Sequence, residues 1–300
     1  MPSFPFVTYD VFTDTPFAGN PLAVVFDADA LSTAQMQAVA REFNLSETTF
    51  IRAASNAVHT AEVRIFTPGR ELPFAGHPTI GSAIAIAEAR HGRGEPRDVL
   101  LVLEEKVGPV RCAVKLASAG ASFAEFDAPK LSEEVGHGAS DGLAAAALGL
   151  ELADIGFDRH IPTLYSAGVP FAFIPLASLD ALARARPTAA FSTEALGSTE
   201  VFLYARADKN ETHSFRARMF APEIGIVEDP ATGSAAAAFA GVAARFENLG
   251  NGWTQLPILQ GVEMGRPSLI GLELELDSGA LKAVRISGNA VKVSEGAISV

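Results

Sequence analysis

One cysteine among 300 residues cannot make a disulfide within the chain, and it cannot furnish a racemase that works with two thiols. Cys112 sits in the alternating run Val110-Arg111-Cys112-Ala113-Val114, where a buried thiol in a strand is the expected reading. Positive charge is also scarce: 23 Lys and Arg face 35 Asp and Glu, a net charge of −12 with a pI near 5.0. That balance argues against a nucleic-acid partner or an anionic membrane surface, both of which need clustered cations. No stretch is long and apolar enough to span a bilayer. Met1 to Phe12 lacks the basic start and apolar run of a signal peptide, so the chain is expected to be cytoplasmic.

Several chemical signatures are missing as well. His59, His77, His91, His137, His160 and His213 show no close pair with metal-ligand spacing. There is no phosphate-binding Walker loop and no Gly-x-Ser-x-Gly elbow, and Gly92-Arg93-Gly94 and Gly136-His137-Gly138 lack the third glycine of a dinucleotide site. Metal, nucleotide and acyl-enzyme chemistry lose ground, and no cofactor is expected. Hydrophobic content of 48% with 19% charged residues is that of a globular protein with a substantial core.

A repeat is present. Ala75-Gly76-His77-Pro78-Thr79-Ile80-Gly81-Ser82-Ala83 and Val227-Glu228-Asp229-Pro230-Ala231-Thr232-Gly233-Ser234-Ala235 share a frame of His or Asp, then Pro-x-x-Gly-Ser-Ala. Upstream, Arg64-Ile65-Phe66-Thr67-Pro68 parallels Arg218-Met219-Phe220-Ala221-Pro222. The two copies lie about half the chain apart, which points to a duplicated domain.

Thr8 to Phe12 and Leu22 to Phe26 read as a hairpin joined through the turn-rich segment Thr13 to Pro21. Ser32-x-x-Gln35 forms a capping box before Met36, Val39, Ala40 and Phe43 at helical spacing, with Asn44 as the stop. Leu45 to Ile51 is then a strand, which puts Glu47 at a helix-to-strand junction. Ala61 to Phe66 reads as another strand. Ile80 to Arg90 and Ala235 to Arg245 are so rich in small and apolar residues that each is expected to be a helix buried on every side. Strands follow each: Leu100 to Leu103 and Val110 to Leu116, then Leu272 to Leu276 and Ala283 to Ile286. The polar, glycine-bearing stretch Asp127 to Gly142 is the expected linker. The fold class is α+β: two pseudo-symmetric domains, each a curled, barrel-like antiparallel sheet around a central apolar helix. The expected domains run 1–127 and 128–287, with a last strand at about 288–300 as the candidate to complete the first.

Pro78 and Pro230 suit the first helical position, which would make His77 and Asp229 N-cap residues. A structural cap is the plain reading of a pre-proline Asp; an imidazole caps poorly, which leaves His77 harder to dismiss. Glycine at a helix start leaves backbone N–H groups open to a carboxylate or phosphate, so Gly76, Gly233 and Ser234 are candidate anion cradles. Gly-Ser pairs also occur simply for close packing. Glu47, His77 and Asp229 are the candidate acid–base groups for work on a small anion. A carboxylate that takes and returns a proton near neutral pH needs a raised pKa, which burial would give, and Phe50, Phe66 and Phe74 could supply the apolar wall.

Phe17-Ala18-Gly19-Asn20-Pro21, Leu45-Ser46-Glu47-Thr48, Glu71 to Thr79, Glu228 to Ala235 and Met264-Gly265-Arg266-Pro267-Ser268 together resemble the PhzF phenazine-biosynthesis-like family, in the family's order and over essentially the whole chain. The resemblance implies the diaminopimelate-epimerase-like fold, with the active site in a cleft between two similar domains, and a homodimer. It puts Gly76 or Ala75, and Thr232 or its neighbours, where two-cysteine epimerases carry thiols. It implies a cofactor-independent isomerase similar to trans-2,3-dihydro-3-hydroxyanthranilate isomerase. Glu47 would move the proton, His77 and Asp229 would assist, and the amides of Gly76, Gly233 and Ser234 would hold the substrate carboxylate. The alternative is a non-catalytic protein that binds a small anion or a partner on the same fold. An amino-acid epimerase is disfavoured by the lone Cys112.

Overall fold

The computed structural model describes residues 2–300; Met1, with which the expected first domain begins, lies outside them. The chain forms two compact units. One runs to Pro129 and takes in Ser287–Val300; the other is Lys130–Ile286.

The first unit opens with β1 (Ser3–Val11) and β2 (Asn20–Val25), which pair antiparallel as the hairpin signals predict. Helix α1 (Thr33–Phe43) begins at a complete Ser32/Gln35 capping box and stops where Asn44 turns left-handed at φ 51°, a conformation asparagine tolerates better than most residues. β3 (Glu47–Arg52), β4 (Ala61–Phe66) and the two-residue β5 (Glu71–Leu72) follow, then α2 (Gly76–His91). β6 (Arg97–Glu105), β7 (Gly108–Leu116) and β8 (Ser122–Asp127) complete this stretch.

Pairing runs β1–β2–β3–β4–β6–β7–β8 and returns to β1 through the end of the final long strand, so these strands close a barrel. Closure gives each strand of the ring a neighbour on both sides. Residues Gly76 to Glu88 of α2 are all buried, and the helix packs against β1, β2, β3, β6, β7 and β8. Gly81 shows why the helix must be made of small residues: a Cβ there would lie 2.5 Å from Leu22 Cδ2 and 2.9 Å from Val11 Cγ2. Tyr9 of β1 donates to Glu88 of α2 at 2.7 Å, pinning the far end of the helix to the wall.

The sheet differs from the expected antiparallel one. β2 pairs parallel with β3, and β4 parallel with β6. Parallel neighbours need a crossover, which α1 supplies between the first pair and α2 between the second.

The second unit begins with β9 (Glu133–His137), inside the stretch expected to be a linker, because Glu133 to His137 find strand partners on β10. Then come α3 (Asp141–Leu148), β10 (Thr163–Ser166), β11 (Pro170–Pro175), α4 (Leu179–Arg184), the single-turn α5 (Thr193–Leu196), β12 (Val201–Arg206), β13 (Phe215–Ala221) and β14 (Ile226–Asp229). Helix α6 (Gly233–Phe246) leads into β15 (Gly252–Gln255), β16 (Ile258–Gln260), β17 (Ser268–Asp277) and the 20-residue β18 (Ala280–Ser299), whose second part re-enters the first unit.

Here the pairings are β9–β10 and β10–β11 antiparallel, β11–β12 parallel, β12–β13 antiparallel, β13–β16 parallel and β16–β17 antiparallel. α6 packs on β9, β10, β11 and β17. Its Phe239 meets Tyr204, Phe215 and Phe173 at ring separations of 4.7, 5.1 and 5.9 Å, so aromatic rings pack along this helix.

Candidate functional site

Glu47 is the first residue of β3 and lies opposite Leu22 of the parallel strand β2. Alternation sends Glu47, Thr49 and Ile51 to the face that meets α2, where Thr49 accepts from Ser82 at 2.9 Å. Phe50 points the other way. With Phe66, 5.4 Å away edge to face, it packs beneath α1 among Phe4, Val25, Leu31 and Met36. The aromatic wall expected around Glu47 is therefore on the opposite side of its strand; Phe74 packs instead on Phe126 at 5.6 Å.

His77 sits in the first turn of α2, and its side chain is 4% exposed. Its Nδ1 lies 3.2 Å from Asn20 Nδ2. An amide NH2 can only donate, so Nδ1 is the acceptor and the ring proton is on Nε2. Nε2 in turn lies 3.2 Å from Glu47 Oε2, at an angle poor for a hydrogen bond. Burial holds the ring neutral by pushing its pKa down to about 3. The pair is thus a carboxylate beside a neutral imidazole N–H, an arrangement that can take up a proton at Glu47 and steady it from His77.

Asn20 is the residue that reasoning on chemistry-bearing side chains missed, although its segment stood out. The loop before it is braced where Phe17 N–H donates to Asp10 Oδ2 at 2.6 Å, and Gly19 takes the left-handed φ of 66° that delivers Asn20 to the start of β2.

In the second unit Asp229 closes β14 and is 6% exposed. Its Oδ2 accepts from the Thr232 hydroxyl at 2.6 Å, and that hydroxyl accepts from Gln260 Nε2 at 3.0 Å. Gln260 also donates to Asp229 O at 2.8 Å and accepts from Thr232 N at 3.1 Å. One amide side chain therefore clamps the segment between strand and helix. No sequence signal singles out Gln260, since a lone glutamine in a short strand carries no pattern.

Neither His77 nor Asp229 is an N-cap. Helix α2 starts at Gly76 with Ala75 as its cap, so Pro78 is the third helical residue; proline is tolerated there because first-turn N–H groups have no intrahelical partner. Helix α6 starts at Gly233 with Thr232 as its cap, because Gln260 takes the backbone groups an earlier start would need. The aligned Gly-Ser pairs thus diverge: Gly81 and Ser82 are buried mid-helix, whereas Gly233 and Ser234 open theirs. Gly76, Gly233 and Ser234 all lie in first turns, where backbone N–H groups and the helix dipole favour an anion.

Two other buried histidines belong elsewhere: His160 contacts Tyr204 OH and Glu247 Oε1, each at 2.9 Å, where α6 ends, and His213 lies just before β13. No group of three or more His, Cys, Asp and Glu with metal-site geometry occurs among the described residues. No helix among the described residues is long and apolar enough to cross a membrane.

A sequence profile for phenazine biosynthesis-like proteins matches residues 9–296. An uncharacterized isomerase of Mesorhizobium japonicum is 50% identical over 297 residues, covering 97% of each chain. Trans-2,3-dihydro-3-hydroxyanthranilate isomerase of Pseudomonas chlororaphis is 38% identical over 296 residues and 98% of each chain. Among solved structures, the Bacillus anthracis phenazine biosynthesis protein of the PhzF family superposes with a TM-score of 0.87 at 26% identity, over 100% of both chains.

Proposed function

We propose that this chain, which belongs to the phenazine biosynthesis-like protein family and is an isomerase, shifts a proton within a small carboxylate by general acid–base chemistry alone, with no cofactor. The observation that carries the reading is the placement of Glu47 Oε2 at 3.2 Å from Nε2 of a buried, neutral His77. As a carboxylate, Glu47 removes a proton from a carbon next to a double bond; as the acid it has become, it returns that proton at the far end of the shifted double bond. Nothing is consumed, and the acid–base group is reset. Such a positioned group contributes about 10²- to 10⁴-fold in rate.

His77 holds Glu47 in place during this cycle, and Asp229, ordered by Thr232 and Gln260, assists. The first-turn amides of Gly76, Gly233 and Ser234 are the groups we assign to the substrate carboxylate. Both units run through one order of pairings: antiparallel, parallel, antiparallel, parallel, antiparallel. That order supports reading them as duplicated domains meeting near residue 128, each a curled sheet around an apolar helix.

The substrate proposed is trans-2,3-dihydro-3-hydroxyanthranilate or a close analogue, by similarity to the Pseudomonas enzyme. The test is its turnover in deuterated water by the wild type and by Glu47→Gln. Deuterium in the product of the wild type and no turnover by the variant are expected. A fully active Glu47→Gln overturns the role of Glu47, and an inert wild type overturns the substrate.

A further inference from the structure

Glu105 ends β6 with its side chain buried, 7% exposed, and takes no part in the chemistry above. Thr79 Oγ1, on the first turns of α2, lies 2.8 Å from Glu105 Oε1 and 2.8 Å from Ala75 O. Each of these oxygen pairs needs a proton between its atoms, and the threonine hydroxyl has only one. Ala75 O is a carbonyl and can only accept, so Thr79 donates to it. The second proton must then come from Glu105.

Burial agrees. Glu105 Oε2 is buried with no hydrogen-bond partner, a modest cost for a neutral carbonyl oxygen and a severe one for a carboxylate. No Lys, Arg or His pairs with Glu105 among the described residues; Lys106, its neighbour in the chain, is engaged by Glu71 at 2.6 Å. The titratable group facing it from β7 is the Cys112 thiol, which burial and the Glu105 charge push up, and Asp127 at the end of β8 acts on that thiol in the same sense. Desolvation raises the Glu105 acid to about 8, outweighing what a Thr79 hydroxyl turned toward an ionised carboxylate would lower.

The second unit supplies a control. Glu62 of β4 pairs with Glu104 of β6, and Arg216 of β13 pairs with Leu259 of β16, so Glu105 and Gln260 each stand one residue beyond in matching strands. Gln260 can never ionise, and its NH2 donates to the hydroxyl of Thr232, which donates onward to Asp229. A protonated Glu105 donating to Thr79, which donates onward to Ala75, repeats that relay.

We infer that Glu105 is a positioning residue held as a neutral carboxylic acid, whose proton locks the Ala75 cap of α2 through Thr79 and thereby fixes His77 against Glu47. Ionisation would claim the Thr79 hydroxyl proton, leave Ala75 O held by the Thr79 backbone N–H at 3.2 Å without the hydroxyl, and loosen the turn that carries His77. The inference concerns the same His77 as the acid–base reading, but both tests read the protein without turnover, so its failure leaves that reading standing.

The first test is thermal unfolding of wild type and Glu105→Gln from pH 5 to 9. An acid whose folded pKa lies above its unfolded value of 4.5 contributes stability below 4.5 that is lost as pH rises through about 8. The two proteins should melt together at pH 5, with the variant higher by several degrees at pH 8 and above. A variant that melts below wild type at every pH overturns the inference, since an ionised Glu105 would need the hydroxyl it accepts from. The second test needs no variant: the ring nitrogen signals of His77 in wild type should shift with a midpoint near pH 8. Signals unchanged between pH 6 and 9.5 would overturn it equally.

Discussion

Arg64 and Arg218 occupy the same place in the two copies of the repeated segment and reach the same end with different partners. Each grips a glutamate with two hydrogen bonds: Arg64 to Glu71 at 2.7 and 2.8 Å, Arg218 to Glu228 at 2.8 and 2.9 Å. Each also lies over the phenylalanine two residues on, at 5.2 and 4.7 Å. Beyond that they part. Arg64 reaches Thr33 at the start of α1, and Glu71 keeps a second cation, Lys106. Arg218 instead donates to the carbonyls of Leu182, Ala183 and Ala185, where α4 ends, and Glu228 has no other cation among the described residues. The ion pair ties strand to strand in both copies, while the spare donor fastens whichever helix crosses over it. The two units share the brace and differ at its outer end.

The difference between the copies can be broken experimentally. The largest effect is expected at Glu47 of the first unit: Glu47→Gln should lower turnover by about 10³-fold or more while circular dichroism stays native, because the carboxylate is replaced by an isostere. An unaltered rate would move the acid–base role to another group.

Next in size is the arginine pair. Arg218→Ala should cost about 3–5 kcal/mol in denaturant unfolding, since it strands the partly buried Glu228 and three carbonyls. Arg64→Ala should cost about half of that, because Lys106 still holds Glu71. Equal losses would show that the spare donors matter more than the carboxylates.

Gln260→Ala should cost about 1–3 kcal/mol by leaving Thr232 N and Asp229 O unsatisfied. Glu105→Gln should instead raise stability at pH 8 and above, which makes the two matching positions opposite in sign.

A further contrast lies in pH. Burial lowers the His77 pKa from 6.5 to about 3, so its contribution to stability is whole above pH 6.5 and is lost as pH falls toward 3. His77→Gln should flatten that acid limb in thermal unfolding. A limb unchanged in the variant would place the proton uptake on another residue. The smallest effect is expected at Gly233→Val, which should weaken stabilisation by small carboxylic acids in thermal-shift assays without lowering the melting temperature of the ligand-free protein by more than a few degrees. A ligand that stabilises both proteins equally would count against the amide cradle.

Much of the first unit could be read residue by residue. The capping box at Ser32 and Gln35, the stop at Asn44, the strand Ala61–Phe66 and the all-round burial of α2 each follow from local chemistry or a local period, and each stands in the structure. The position of Glu47 at the head of a strand was legible for the same reason. The helix starts were not. Proline marks a first turn without saying which of its positions it fills, and whether the helix begins before or after it depends on which distant group claims the backbone: Glu105 through Thr79 in one copy, Gln260 in the other. Phe50 was misplaced because an apolar residue in a doubly covered strand can face either layer.

The sequence by itself determined the duplicated Arg-x-Phe and Pro-x-x-Gly-Ser frames, the small-residue helices they lead into and the family to which they point, since these depend on residue type and spacing along the chain. Only the tertiary structure decided that β2 and β3 lie side by side, so that Asn20, Glu47 and His77, far apart in sequence, form one chain of contacts. It also decided that a glutamate and a glutamine stand at matching positions beside a threonine. Strand register across a crossover and the burial that sets a proton's affinity are properties of distant neighbours, which no local pattern records.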